Sequence, residues 1–239
     1  FAAIMNDRDR AAGRAGVGAV MGAKKLKAVV VRGEGEVALA DPAAFKAANA
    51  KYRDDFKAKT RVNPPALRTH GTAITSVGTQ AHGVFPTRNF QQGTFEGWEA
   101  IGGEELTKKY LVRAKPCFSC PIACGRVTRV PDGPFQGEGE GPEYETIYSL
   151  GSNCGVDDLA ALTKANYLCN ELGLDTISMG CAIACAMELV EKGHLKESEG
   201  GMPLRWGDGH ALVALTRMTA LREGFGDVLA GGSRRLAAR

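Results

Sequence analysis

Three cysteines fall within eight residues, in the run Cys117-Phe-Ser-Cys120-Pro-Ile-Ala-Cys124. C-x2-C-x3-C spacing lets consecutive thiolates converge on one face of a cubane iron–sulfur cluster, and such clusters normally take four cysteines. The spacing points to a cluster with three local ligands and a fourth from elsewhere. Zinc is the competing reading. Structural zinc sites pair two short knuckles; no second knuckle is present, and none of the four histidines lies near the motif. A disulfide framework needs an oxidising compartment, and seven cysteines is an odd number. Cys154, Cys169, Cys181 and Cys185 read as core residues, because free cysteine packs as a small hydrophobe.

Two further groupings could carry chemistry. Glu143-Tyr144-Glu145 follows Gly141-Pro142. In an extended segment, residues i and i+2 share a face, so both carboxylates would aim at one site with Tyr144 turned away. The alternative is a solvated acidic loop, the commoner setting for carboxylates. Asn170-Glu-Leu-Gly173-Leu174-Asp175-Thr176 joins two helical patterns. The start of the second helix offers free backbone N–H groups to an anionic or polar ligand. Its plainer reading is a C-cap followed by an N-cap. Arg8, Arg10 and Arg14, followed by Gly16, Gly18 and Gly22, make a basic glycine-rich stretch suited to phosphate-like groups, or a simple connection.

The elements that must position these residues follow from periodicity and caps. Lys27–Val31 is a β-branched run that reads as a buried strand ended by Gly33. Asp41-Pro42 marks a helix start, with the helix running to about Lys59. Residues 61–100, rich in Gly, Thr, Pro and Asn, read as irregular. A short helix over Gly103–Val112 leads into the cysteines, and a Gly/Pro/Glu loop spans 130–142. Helices are predicted over Asp157–Leu172, capped by Gly173, and over Thr176–Lys192, closed by Gly193. Two more are predicted over Asp208–Glu223 and Asp227–Ala238.

The chain has 239 residues, is 44% hydrophobic and carries a net charge of +3. That suffices for one large or two modest domains. The mild, scattered positive charge argues against a nucleic-acid partner. No apolar run reaches the length of a membrane span. The thiols suggest a reducing cytoplasm. Both ends read as interrupted structure, which suggests a piece of a longer protein.

These pieces coincide with one family. The chain resembles the tungsten-containing aldehyde ferredoxin oxidoreductases. The matching segments are Asn6–Lys27, Pro86-Thr-Arg-Asn-Phe90, Cys117–Cys124, Gly141-Pro-Glu-Tyr-Glu-Thr146, Gly173-Leu-Asp-Thr-Ile-Ser178, Gly207-Asp208 and Arg222-Glu-Gly-Phe-Gly-Asp227. The resemblance implies a mainly α fold: a helical domain over 34–239, preceded by the end of a β-containing, pterin-binding N-terminal domain over 1–33. It implies that Cys117, Cys120 and Cys124 ligate a [4Fe–4S] cluster. The fourth cysteine and a partner histidine would lie beyond Arg239. Ala12, Gly13 and Arg14 match a segment at the pterin phosphates and their bridging magnesium. Asn170, Gly173, Leu174, Asp175 and Thr176 match a D-x-x-G-L-D pterin loop, with Asn170 in place of the leading Asp. Asn keeps a side-chain acceptor but loses the charge. Glu145, and less directly Glu143, match the carboxylate near a tungsten or molybdenum bis-pterin.

The implied reaction is oxidation of an aldehyde to a carboxylic acid, with electrons passing to ferredoxin or a carrier subunit. A homo-oligomer is compatible with it. Two alternatives stand beside it: a catalytic subunit reducing an aromatic acyl-CoA ring on the same scaffold, and a cluster-binding electron-transfer module without its own catalysis.

Overall fold

The structure, a computed structural model, describes residues 1–60 and 66–239. The chain opens with a hairpin of β1 (Ile4–Asn6) and β2 (Arg10–Ala12), in antiparallel register with Asn6 opposite Arg10. Asp7 and Arg8 turn it with φ of 50° and 74°. Paired left-handed residues suit the twist of a tight hairpin. Helix α1 (Val17–Ala23) follows.

Helix α2 (Pro42–Thr60) starts where Asp41 and Pro42 predict it: Asp41 Oδ1 accepts from the Ala44 N–H at 2.9 Å. Next come α3 (Ala66–His70), a 3-10 turn over Gly71–Ile74, and α4 (Thr75–Ala81). They replace residues 66–81 of the irregular stretch expected over 61–100, while 82–97 is irregular as expected; positions 61–65 of that expectation lie outside the described residues. Ala73, Ser76 and Phe85 are buried here. Tertiary packing holds these short turns, and local propensity carries no trace of it.

α5 (Trp98–Ile101) and α6 (Gly103–Tyr110) lead into a three-stranded antiparallel sheet. Its strands are β3 (Leu111–Lys115), β4 (Gly125–Val130) and β5 (Gly137–Glu140), in that order across the sheet. The loop expected over 130–142 therefore contains β5, whose glycines pack against the Tyr167 ring: a Cβ on Gly139 would meet Tyr167 Cδ1 at 3.0 Å. β-propensity scales do not reward such a strand; its partner does.

A single turn, α7 (Tyr144–Thr146), runs into a π-helical stretch over Ile147–Gly151 and a 3-10 turn over Ser152–Cys154. The core is then built by α8 (Leu159–Leu172), α9 (Thr176–Glu191) and α10 (Gly209–Leu221). Leu150, Leu162, Met179, Ile183, Leu212 and Leu215 are fully buried between them. Cys154, Cys169 and Cys185 sit in this core, and Cys181 is half-buried. Burial pushes the Cys154 and Cys169 thiols up, which keeps them protonated and inert. The helix expected over 227–238 is two short ones, α11 (Phe225–Leu229) and α12 (Ser233–Ala237), broken at Gly232, whose φ is 83°.

Asp158, Asp175 and Asp208 cap α8, α9 and α10 through their side chains. Asp158 Oδ1 accepts from the Ala160 and Ala161 N–H groups at 2.9 and 3.1 Å. Asp158→Ala is expected to cost about 1 kcal/mol, read as a lower midpoint in urea unfolding with unchanged slope.

One expectation fails outright. Val29, Val30 and Val31 are 71%, 91% and 85% exposed, and Lys27–Val31 forms no strand. A β-branched run has the side chains for a sheet, but a strand also needs a ladder partner for its backbone, and no strand among the described residues pairs with it.

Candidate functional site

The cysteine motif is the connection between β3 and β4. The ladder closes at Lys115 opposite Gly125, so residues 116–124 form the loop between them. Ser119 and Ala123 take left-handed φ values of 54° and 56°, and the Cys120 N–H donates to the Cys117 carbonyl at 3.0 Å. All three thiols are free; Cys117 is exposed, and Cys120 and Cys124 are half-buried. Among the described residues no three ligand-type side chains converge tightly enough for a single metal ion. A cubane cluster spreads its thiolates over a wider face, so soft sulfur donors on a turned hairpin fit that group better than zinc.

The second grouping assembles where α8 hands over to α9. Gly173, with φ of 70°, is the left-handed C-cap of α8. Asp175 then caps α9: its Oδ2 accepts from the Ser178 N–H at 3.0 Å and from the Ser178 hydroxyl at 2.5 Å. The chain's first residues lie across this turn. Ala3 N–H donates to the Gly173 carbonyl at 2.7 Å, and Asp175 N–H to the Phe1 carbonyl at 3.0 Å. The N-terminal hairpin is thereby carried over the turn, where Arg14 Nη1 reaches Asp175 Oδ2 at 3.3 Å. A Cβ on Gly13 would sit 3.3 Å from Asp175 Oδ1, so glycine lets the hairpin backbone lie close against the Asp175 side chain.

The glutamates reach the site by a different route from the one expected. Glu143 is the extended N-cap of α7, and Tyr144-Glu145-Thr146 is helical rather than a strand. The reason is packing. Tyr144 and Tyr148, four residues apart, lie on one helix face with ring centroids 5.8 Å apart, and Tyr144 stacks on Phe85 at 6.0 Å. An extended chain would separate those rings. The Thr72 hydroxyl donates to Glu143 Oε2, and Thr146 and Thr176 share a hydroxyl hydrogen bond of 2.8 Å that pins α7 to the start of α9.

These residues surround one cavity of about 420 Å³. Its wall holds Gly13 and Arg14 from the hairpin, Cys124 from the cysteine loop, Glu143 and Glu145, and Asn170, Leu174, Asp175 and Thr176 from the turn. Ala12 and Gly173 flank lining residues, and Cys117 and Cys120 belong to the loop beyond Cys124 rather than to the wall. The Tyr148 phenol meets the Glu145 carboxylate, and burial pushes that phenol up to about 12, so it stays a proton donor at neutral pH.

Sequence reasoning missed an ion cluster built around buried Glu140, whose members Asp9, Arg10 and Glu140 line the same cavity. Arg10 Nη2 lies 2.9 Å from Glu140 Oε1, Lys115 Nζ lies 3.4 Å from Glu140 Oε2, and Lys115 also pairs with Asp9. The Glu140 side chain is only 3% exposed. Burial raises its carboxyl pKa, opposed by Arg10 and Lys115. Asp9 Oδ1, Arg10 Nη2 and both Glu140 oxygens are buried without an aligned hydrogen bond. Open polar valences in a cavity wall suit a polar, heteroatom-rich cofactor. No local signal marked it: Glu138 and Glu140 sit at i and i+2 and share a strand face, and only the pairing of Glu140 with Arg10 and Lys115 sets its burial apart from that of exposed Glu138.

A loop with three free cysteines thus opens beside a cavity lined by Glu143 and Glu145. Two family models match the chain: the aldehyde ferredoxin oxidoreductase N-terminal domain over residues 1–33, and domains 2 and 3 of the same family over 47–239. The chain belongs to the aldehyde ferredoxin oxidoreductase family. It is 50% identical over 242 residues to the tungsten-containing aldehyde ferredoxin oxidoreductase of Pyrococcus furiosus, covering 99% of this chain and 39% of that protein. The Thermococcus kodakarensis enzyme is 49% identical, over 99% of this chain and 39% of its own length. An aliphatic sulfonate oxidoreductase WOR-like subunit from P. furiosus is 32% identical, over 99% of this chain and 38% of its own. Among solved structures, the active-site complex BamBC of benzoyl coenzyme A reductase with 1,5-dienoyl-CoA superposes with a TM-score of 0.76 and 27% identity, over 100% of this chain and 37% of that one. The chain spans about 39% of the length of the aldehyde ferredoxin oxidoreductases it matches.

Proposed function

We propose that the protein oxidises an aldehyde and water to a carboxylic acid, releasing two electrons and two protons. The electrons would leave through a [4Fe–4S] cluster to ferredoxin or a carrier subunit. What carries this reading is the single cavity whose wall joins Cys124, the Glu143–Glu145 pair, Arg14 and the Asn170–Thr176 turn. The relatives named above support the substrate class. On this reading residues 1–33 close the N-terminal pterin-binding domain and 34–239 belong to the helical domain.

A tungsten or molybdenum bis-pterin, when bound, supplies the two-electron chemistry that no side chain offers. The chain's own part is binding, orientation and proton handling. Cys117, Cys120 and Cys124 hold the cluster on the hairpin. Arg14, with the Ala12–Gly13 backbone, would hold the cofactor's phosphates and magnesium; a guanidinium suits phosphate. Asn170 and Asp175 offer acceptors to pterin N–H groups, and Thr176 presents a free helix-start N–H. Glu145, exposed to the cavity, takes a proton as water or the aldehyde hydrate reacts, with the Tyr148 hydroxyl steadying its carboxylate. Seven free cysteines support a reducing, cytoplasmic setting. Among the described residues no helix is long and apolar enough to cross a membrane.

Reduction of an aromatic acyl-CoA ring is the second reading, favoured by the superposition on the benzoyl coenzyme A reductase complex over the whole chain. Metal analysis of the whole protein, purified without oxygen, is the first test. Tungsten or molybdenum with pterin and about four irons is the expected result; an aldehyde panel against an aromatic acyl-CoA then separates the two readings. Iron without tungsten, molybdenum or pterin would leave an electron-transfer module and overturn both.

A further inference from the structure

Arg126 lies two residues beyond the third cysteine, on β4, and is 2% exposed. Its guanidinium turns back under the cysteine loop, and Nη2 donates to the Cys124 carbonyl. Nε is buried without a hydrogen-bond partner. The charges that act on it are Glu143, Cys124 and Glu140, while burial disfavours its charged form. A guanidinium held this far from water without a carboxylate fork is expensive, so the fold has to make room for it deliberately.

Gly71 makes that room. Its φ is +64°, and a Cβ there would lie 0.8 Å from Arg126 Nη2, 2.0 Å from Cζ and 2.5 Å from the Cys124 carbonyl oxygen. The next residue, Thr72, donates to the Glu143 carboxylate and accepts from the Tyr144 N–H at 3.0 Å. One turn, Gly71-Thr72, therefore seats the cation under the cysteine loop and orients a carboxylate of the cavity. On the other side, a Cβ on Gly125 would lie 2.4 Å from both Arg10 Nη2 and Glu140 Oε1. The exit of the loop, Cys124-Gly125-Arg126, is clamped between two guanidinium groups.

We propose that Arg126, seated by Gly71, is a positioning residue of the cluster site: it fixes the backbone at Cys124 and supplies a buried positive charge that raises the cluster's reduction potential. The inference rests on the cluster reading above. The physics is direct. One-electron reduction makes the thiolate-bound cluster more negative by one charge, and a nearby cation in a low-dielectric setting favours the reduced form. Hydrogen bonding to the ligand backbone narrows the positions the thiolate can take.

The test uses the whole protein, purified anaerobically, as wild type, Arg126→Met, Arg126→Lys and Gly71→Ala. Iron and sulfide content, the midpoint potential from an EPR-monitored redox titration, and the rate of iron loss to a chelator are read for each. Arg126→Met is expected to move the midpoint to a more negative value and to speed iron loss about tenfold. Arg126→Lys keeps the charge, so its midpoint stays closer to wild type while iron loss still accelerates. Gly71→Ala displaces the guanidinium without deleting it and is expected to speed iron loss as well. A cluster-loaded Arg126→Met with the wild-type midpoint overturns the inference. Should Arg126→Met not assemble a cluster, wild-type midpoint and iron-loss rate in both other variants overturn it equally. A wild-type protein without iron and sulfide would instead overturn the cluster reading itself.

Discussion

Glu145→Gln in the whole protein is expected to lower aldehyde turnover by about 100- to 10,000-fold, the range for loss of a positioned proton acceptor. Tungsten and iron content should not change. Glutamine keeps the shape of the side chain and its contact with the Tyr148 hydroxyl, but it cannot accept a proton at neutral pH. The position is prepared by its neighbours. Thr146, the next residue, is buried and bonded to Thr176 at 2.8 Å, so the turn that carries Glu145 is fastened to the start of α9. Tyr144 and Tyr148 pack the turn against Phe85 and Phe90. Glu143→Gln should do less, because the Thr72 hydroxyl already occupies one of its oxygens. Steady-state kcat, with metal content measured on the same samples, decides the matter. Unchanged turnover in Glu145→Gln would remove this residue from the chemistry.

Gly180→Val is expected to destabilise the fold by about 3 kcal/mol, at the upper end of typical overpacking costs. Gly180 lies inside α9, where glycine costs about 1 kcal/mol relative to alanine. The compensation is closeness: a Cβ there would lie 2.1 Å from the Ser149 carbonyl oxygen and 2.9 Å from Leu150 N. These atoms belong to the π-helical stretch Ile147–Gly151, directly after the turn that carries Glu145. A wider turn of this kind pushes backbone out toward its neighbour and recurs at functional sites. The obstacle is backbone, so no rotamer change relieves it. Gly78 in α4 gives the contrast, since a Cβ there meets nothing within 4 Å. Gly78→Ala should be neutral or stabilise by up to about 1 kcal/mol. Urea unfolding of the two variants tests the pair; equal midpoints would contradict the close contact of α9 with the π-helical stretch.

The helical framework was legible because its signals are local. Asp158, Asp175 and Asp208 cap helices within a turn of where the sequence puts them, and Gly173 ends α8 with the left-handed backbone that glycine permits. The cysteine spacing is likewise a property of a short segment, and the fold places its three free thiols on one loop between β3 and β4. Residues matched through the family resemblance, such as Arg14, Glu145 and Asn170, turn out to share one cavity although they are far apart in the chain.

Other features depended on partners that a linear reading does not contain. Lys27–Val31 has the composition of a strand and lacks a ladder, so it forms no strand, and its valines stay exposed. Glu143 and Glu145 share a cavity through a helical turn because two tyrosines pack on Phe85 and Phe90, not because the chain is extended. Glu140, Arg10 and Lys115 look like ordinary surface charges until three strands and the N-terminal hairpin bring both cations onto a buried Glu140. Arg126 reads as one more basic residue, and Gly71 as one more glycine, until the fold puts the guanidinium where a side chain at 71 would be.

By itself, then, the sequence determined the longer helices, the caps of α8 to α10, the spacing of the three cysteines and the family. Each is written in residues a few positions apart or in ordered motifs. The tertiary structure alone decided which charges are buried, which carboxylates face the cavity and what stands beneath the third cysteine. Burial and electrostatics depend on distances between residues remote in sequence, and those distances exist only once the core has packed.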